Sequence, residues 1–162
     1  GIIVGRRDLV ETIRRHPLYR ALRPDKLTYA ALEATLLAYE RGTHFEEIPV
    51  LRMLSMPEAE IETRATAFAN ELRGKLPEGR SFDVDVMRGE SAIGGGSAPG
   101  VHPETTLVAL TGRSVSADAI ERRLRLGSPP VIARIAEDKV LIDLRTVGHN
   151  EIESLMAKLA TL

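Results

Sequence analysis

The chain has 162 residues, of which 43% are hydrophobic and 28% are charged, and its formal net charge at pH 7 is −1. This length and composition are typical of one ordinary globular domain or two small ones, and they exclude a disordered chain. The near-neutral charge excludes a surface that is basic throughout, and the lack of cysteine excludes disulfides, thiolate nucleophiles and cysteine metal sites.

The first third of the chain predicts one strand followed by helices. Residues 1–5 (GIIVG) are glycine and β-branched, which is typical of a strand. A lone strand cannot stabilise itself, so we expect the chain to be the C-terminal part of a longer protein; the alternative is a trimmed tag or a processed terminus. Apolar residues at helical spacing predict a helix over residues 6–15, which ends before Pro17. Pro24 suits the first turn of a second helix, and Gly42 ends it.

The remainder predicts a compact α+β unit. After a loop and short helix over residues 45–54, Ser55 and Glu58 form a capping-box pattern that opens a helix ending near Gly74. The elements that follow are a strand from Phe82, a strand over 105–110, a helix capped by Ser116, a hairpin over 131–144 and a last helix. Helices should cover one face of a small antiparallel sheet. We expect two domains, residues 1–54 and 55–162.

Two arginines stand out as candidate ligands for an anion. Residues 1–26 hold seven basic side chains against three acidic ones. Most of these basic residues fit a solvated helix face, but Arg20 and Arg23 lie outside the predicted helices, between apolar residues and Pro24. A planar guanidinium grips a phosphate-like oxyanion through two hydrogen bonds. Spacing alone leaves two alternatives open, an anion site and structural ion pairs.

A glycine-rich segment, GGGSAPG at residues 94–100, separates two predicted strands. Its glycines would let backbone N–H groups cradle a phosphate, but it matches neither the Walker nor the dinucleotide pattern. A flexible strand-to-strand loop is the favoured interpretation, and such a loop could equally be a lid that needs mobility. Gly94, Gly95, Gly96 and Ser97 are therefore a candidate active-site loop. Ser97 has no neighbouring base, the carboxylates form no paired motif, and the four histidines are scattered, so we predict no metal site.

Several segments together resemble one enzyme family. They are GIIVG followed by RRDLVETIRRHPLYRALRPDKLTYAALEATL, then EEIPVLRML, GESAIGGGSAPGV, PPVIARI and VLIDLRTV, in that order. This series resembles the bacterial L-seryl-tRNA(Sec) selenium transferases over nearly the whole chain. The resemblance implies an α/β enzyme of fold type I that uses pyridoxal 5'-phosphate. The segments match the tail of its large catalytic domain (1–54) and its small C-terminal α+β domain (55–162).

The resemblance also implies a reaction and its partners. Seryl-tRNA(Sec) loses its hydroxyl by β-elimination, and selenophosphate then supplies selenium to give selenocysteinyl-tRNA(Sec). The family's cofactor lysine precedes the residues that match GIIVG, so no catalytic residue is expected here and this portion alone should be inactive. Arginines of the family's LYRALRxDK segment line the active site, where the donor's anionic group binds. Carried over, these are Arg20 and Arg23.

The same resemblance predicts that tRNA binds mainly through an N-terminal region preceding these residues, and that dimers assemble into a larger ring. No stretch approaches the roughly 20 apolar residues of a membrane span and no signal peptide is visible, so a cytoplasmic location is expected. Two other functions stay open. One is a related pyridoxal-phosphate lyase acting on a small amino acid without tRNA, and the other is a non-enzymatic α+β assembly module.

Overall fold

A computed structural model describes residues 2–94 and 100–162 of the chain. It divides into two compact units, of which the first ends at Pro49 and the second is Val50–Leu162. The elements in chain order are α1 (Arg7–Arg15), α2 (Lys26–Arg41), α3 (His44–Glu47), α4 (Pro49–Ser55), α5 (Glu58–Lys75), β1 (Phe82–Glu90), β2 (Glu104–Gly112), α6 (Ala117–Arg125), β3 (Arg134–Ala136), β4 (Lys139–Asp143) and α7 (Ile152–Ala160). Short 3-10 turns cover Pro17–Arg20, Leu144–Thr146 and His149–Glu151.

The first unit is helical and has little core of its own. Helix α2 begins after Asp25, whose carboxylate accepts a hydrogen bond from the Thr28 amide at 2.7 Å, and it ends at Gly42 with a φ of 74°. Ala38 is the buried hydrophobic residue of α2, whereas many larger apolar side chains of this unit are exposed. The predicted strand over residues 1–5 is wrong for residues 2–5, which carry no regular secondary structure. A strand needs a hydrogen-bonded neighbour, and none is present among the described residues.

The second unit is a four-stranded antiparallel sheet with helices packed against it. The strand order is β1-β2-β4-β3, and the register pairs Val84 with Leu110, Val108 with Ile142, and Ile135 with Val140. The predicted small α+β domain with an antiparallel sheet is therefore confirmed. Its main core joins alternate strand residues to one face of each of α5, α6 and α7: Ala65, Phe68, Leu72, Phe82, Val84, Val108, Leu110, Ile120, Leu124, Val140, Ile142, Leu155, Met156 and Leu159.

Local capping signals explain one helix start and fail at another. Ser116 caps α6 by accepting a hydrogen bond from the Ala119 amide at 3.2 Å, as its position before the helix predicts. The capping box at Ser55 and Glu58 is wrong. Ser55 is the last residue of α4 and donates to the Arg52 carbonyl at 3.1 Å, so its hydroxyl is not available to α5. Pro57 takes the N-cap position of α5 instead.

Candidate functional site

Arg20 and Arg23 lie on a tight, irregular segment of the first unit. Arg20 is the last residue of the 3-10 turn that begins at Pro17, and the imidazole of His16 caps this turn by accepting from the Leu18 amide at 3.3 Å. Arg23 follows two turn residues and precedes Pro24, so its φ and ψ are restricted by the proline ring. Both arginines are exposed. The backbone therefore presents two guanidinium groups to solvent from a short connection whose local geometry is constrained.

The nearest carboxylate in sequence does not neutralise these arginines. Asp25 caps α2, and the hydrogen bond from the Thr28 backbone holds the pKa of its carboxyl below the ordinary value. Within the described residues neither Arg20 nor Arg23 forms a salt bridge, so the structural ion pairs considered above are not made there. An anion site at Arg20 and Arg23 stays a prediction.

The glycine-rich segment connects β1 to β2 in the second unit. Gly94 is exposed and has open space where a Cβ atom would lie, so no close backbone approach requires glycine at this position. Gly95, Gly96 and Ser97 lie outside the described residues. Gly100 has a φ of 75°, in the region that favours glycine. Of the four residues of the predicted active-site loop, the structure thus describes Gly94 alone, four residues after the end of β1.

A polar network fastens the two strand ends that flank this segment. The Ser91 amide donates to the Pro103 carbonyl at 2.8 Å, which joins the two ends of the connection. The Ser91 hydroxyl donates to one carboxylate oxygen of Asp143 at 2.5 Å, and the Thr105 hydroxyl donates to the other at 3.0 Å. Ser91 and Thr105 are therefore held against the end of β4, and Pro103 is joined to them through Ser91.

Arg145 is the buried centre of this network, and sequence reasoning missed it. Its side chain is buried, with the residue only 5% exposed. It donates to the carbonyls of Met53 (2.9 Å), Met56 (3.0 Å) and Glu104 (2.6 Å) and to the Ser91 hydroxyl (3.0 Å). It thereby ties the α4–α5 connection to the sheet. The available signal was an arginine two residues after the strand sequence VLID and directly after the apolar Leu144, where a charge is unusual unless it is bound on several sides.

Two cavities adjoin this network within the second unit. The larger, about 600 Å³, is mainly apolar, with Ile93, Ile132 and Leu155 among its walls and Asp143 at one side. The smaller, about 280 Å³, is lined by Arg52, Arg64, Arg145 and His149 as well as Glu60. Neither lining includes a lysine, and no group of three or more histidines or carboxylates placed to hold a metal ion occurs in the part of the chain that the structure describes.

Comparison with known proteins gives a consistent result. Residues 1–148 match the family described as L-seryl-tRNA selenium transferase. Proteins named L-seryl-tRNA(Sec) selenium transferase are similar to the chain in Geobacter metallireducens (42% identity, all of this chain and 35% of the relative), Carboxydothermus hydrogenoformans (40%, 94% and 32%) and Aquifex aeolicus (38%, 100% and 35%). The chain spans about a third of the length of these relatives.

Proposed function

Because the chain belongs to the L-seryl-tRNA selenium transferase family, we propose that it is part of an enzyme that converts seryl-tRNA(Sec) to selenocysteinyl-tRNA(Sec) with selenophosphate. The observation that supports a role for this portion is the pair of exposed guanidinium groups of Arg20 and Arg23, which no carboxylate neutralises among the described residues. We assign these two side chains to the anionic group of the selenium donor.

The chemistry of the donor explains why arginine suits this position. Selenophosphate carries negative charge on several oxygens, and a guanidinium presents paired N–H groups at the spacing of two such oxygens. Arginine also stays protonated throughout the physiological pH range. The turn between Pro17 and Pro24 limits how far the two side chains can move apart. Holding the donor close to the reacting carbon of the serine moiety lowers the entropic cost of the bimolecular step.

The cofactor that the family implies is pyridoxal 5'-phosphate, which would supply the electron sink for the elimination. None of the lysines among the described residues is placed where it could attach this cofactor covalently. Lys75 pairs with Glu71 at 2.8 Å on the surface of α5, and Lys26, Lys139 and Lys158 line neither cavity of the second unit. We therefore assign no step to a lysine of this chain. The attaching lysine belongs, in our proposal, to the part of the relatives' length that this chain does not span.

The same proposal covers the remaining partners and the wider fold. Residues 1–54 would complete a large catalytic domain of fold type I, and residues 55–162 would be the small domain that follows it; the two compact units of the structure divide nearby, after Pro49. Seryl-tRNA(Sec) would bind mainly through a region that precedes these residues, in an assembly of dimers acting in the cytoplasm. The names of the relatives favour this function over a lyase without tRNA and over a non-enzymatic module. In the described ranges, no helix is both long enough and apolar enough to cross a bilayer.

The test separates donor binding from tRNA binding in the complete enzyme. Arg20→Lys and Arg23→Lys keep the charge but remove the planar fork, so each should weaken the dependence on selenium donor about ten- to a hundredfold, which corresponds to roughly 1.5–3 kcal/mol. Binding of seryl-tRNA should change far less, since many other phosphate contacts share that energy. Arg7→Lys, on the exposed surface of α1, is the matched control and should change neither quantity.

The same two measurements can also contradict the assignment of Arg20 and Arg23 to the selenium donor. If seryl-tRNA binding collapses in Arg20→Lys and Arg23→Lys while the concentration of donor required is unchanged, these arginines belong to the nucleic-acid surface. If all three variants lose activity equally, the arginines act through folding and not through an anion.

A further inference from the structure

The smaller cavity of the second unit combines several positive charges with few negative ones. It has a volume of about 280 Å³ and lies where the end of α4, the start of α5 and the segment after Arg145 meet. Arg52, Arg64 and Arg145 all line it, and Glu60 is the carboxylate on its wall. Within the described residues no salt bridge joins Glu60 to any of these arginines. The wall of the cavity is therefore positively charged at neutral pH.

The three arginines differ in how free their N–H groups are. Arg145 uses its guanidinium on three backbone carbonyls and one hydroxyl, so it contributes mainly charge and a fixed frame. Arg64 donates to the Val147 carbonyl at 2.9 Å through one terminal nitrogen, and its other terminal nitrogen meets the Met56 sulfur at 3.4 Å. A thioether sulfur is a weak hydrogen-bond acceptor. The Arg64 nitrogen that contacts it would therefore form a stronger hydrogen bond with an oxyanion in the cavity.

Arg52 has the greatest freedom. It lies near the end of α4, is exposed, and makes no side-chain hydrogen bond among the residues that the structure describes. Charges held in a concave wall focus the electrostatic potential and raise the local concentration of anions. The Asp143 carboxylate of this network accepts from two hydroxyls and a backbone amide, and its hydrogen bonds connect it to the Arg145 guanidinium through the Ser91 hydroxyl.

We propose that this cavity is a binding site for a phosphate-type oxyanion, with Arg52 and Arg64 as its donors and Arg145 as the buried frame that holds its walls together. The volume admits a phosphate group with part of an attached sugar. The site belongs to the second unit and does not depend on Arg20 and Arg23 or on the transferase activity. The bound oxyanion would come either from the phosphate backbone of RNA or from a free phosphate compound. Both offer the same kind of oxygen atoms to the arginines.

The test is a titration of the 162-residue chain with inorganic phosphate at low ionic strength. Binding is measured by the NMR chemical shifts of the Gly148 and His149 amides at the cavity wall. The unsubstituted chain should show saturable shifts at these amides. Arg52→Gln should weaken the apparent affinity about three- to tenfold, the effect of one exposed charge-assisted contact. Arg122→Gln removes one positive charge from the exposed surface of α6, away from the cavity, and should leave the affinity unchanged.

A second titration, with a short RNA hairpin that lacks any selenocysteine-specific sequence, identifies the source. Tighter binding than inorganic phosphate, with steep salt dependence that is reduced in Arg52→Gln, supports a backbone phosphate. Binding of inorganic phosphate without binding of RNA supports a free phosphate compound. The proposal is overturned if neither ligand shifts Gly148 and His149 saturably, or if Arg52→Gln and Arg122→Gln weaken binding equally. The Arg52 side chain makes no hydrogen bond among the described residues, and its backbone carbonyl keeps the bond from Ser55 after substitution, so Arg52→Gln tests binding without testing the fold.

Discussion

Arg145 shows how a single buried side chain can organise polar backbone from three parts of the chain. A buried guanidinium loses its hydration, and this loss is tolerated only when most of its N–H groups are satisfied. Three carbonyls and the Ser91 hydroxyl do so here, and Ser91 in turn passes a hydrogen bond to Asp143. The Ser91 hydroxyl thus links the positive charge of Arg145 to the negative charge of Asp143. The carbonyls of Met53, Met56 and Glu104 depend on the Arg145 guanidinium as their hydrogen-bond donor.

We therefore expect Arg145→Met to destabilise the second unit by roughly 2–4 kcal/mol, because it fills the same space but leaves buried acceptors unpaired. The stability of Arg145→Lys should lie between that of the unsubstituted chain and that of Arg145→Met, because one ammonium group reaches fewer of the four acceptors. All three tyrosines lie in the first unit and the chain has no tryptophan, so the measurement is amide exchange at Val108 in β2. Arg122→Met is the exposed control. Equal protection of Val108 in Arg145→Met and Arg122→Met would contradict the role given to Arg145.

At the scale of the element, the turn of the β3–β4 hairpin holds two residues in an unfavourable backbone conformation. Ala136 pairs with Lys139, and the turn between them consists of Glu137 (φ 50°) and Asp138 (φ 56°). Two consecutive residues with positive φ match a type I′ turn, whose twist suits a two-residue hairpin. Neither residue is glycine, so the left-handed conformation costs free energy that the flanking strand pairs must offset.

Replacing Asp138 with glycine should stabilise the second unit by about 0.5–1 kcal/mol, because glycine adopts positive φ without a steric penalty from Cβ. Asp138→Ala is the matched control. It removes the same charge but keeps a Cβ, so it should not stabilise. The readout is again exchange at a buried amide of β4, such as Val140. Stabilisation by alanine equal to that by glycine would mean that charge, and not backbone conformation, governs this turn.

Elements with local signals could be predicted from the sequence, and contacts between distant residues could not. The helix after Ser116 and the hairpin before Lys139 each follow from a few neighbouring residues. The strand predicted at residues 1–5 fails because strand formation depends on a partner. The network around Arg145 joins positions 41 to 92 residues apart, so no window of sequence contains it. Arg20 and Arg23 stand out in the sequence because they are close together outside the predicted helices, but their assignment to an anion rests on the family resemblance and is still a prediction.

At the scale of the whole molecule, the two units differ in how much apolar surface they bury internally. The second unit contains both clusters of buried hydrophobic residues found among the described residues, a large one that includes Val108 and a small one that includes Leu107. In the first unit Ala38 is buried, while Leu27, Leu36 and Tyr39 on the same helix are exposed. Helices of this length gain most of their stability from packing and little from intrinsic propensity. Residues 2–49 therefore lack, within themselves, the burial that keeps the sheet unit folded.

We expect urea to unfold the first unit of the isolated 162-residue chain well before the second. Tyr19, Tyr29 and Tyr39 make tyrosine fluorescence a reporter of the first unit alone, and amide exchange in β2 reports the second. Amides of β2 should be protected by about two orders of magnitude more than those of α2, because local stability follows buried contacts. Coincident transitions by both probes in a monomeric sample would contradict this expectation.

Strand β1 is an edge of the sheet, with β2 on one side and no strand on the other among the described residues. Exposed edges of nine residues are templates on which further chains add and aggregate. Here Arg73 of α5 donates to the Val84 carbonyl at 2.9 Å, which occupies one acceptor of β1. Asp83, paired with Arg113, and Asp85 place charge along the same strand. Growth of a fibril from β1 would have to break the Arg73 bond and dehydrate these carboxylates, so the edge that looks most open is protected against polymerisation.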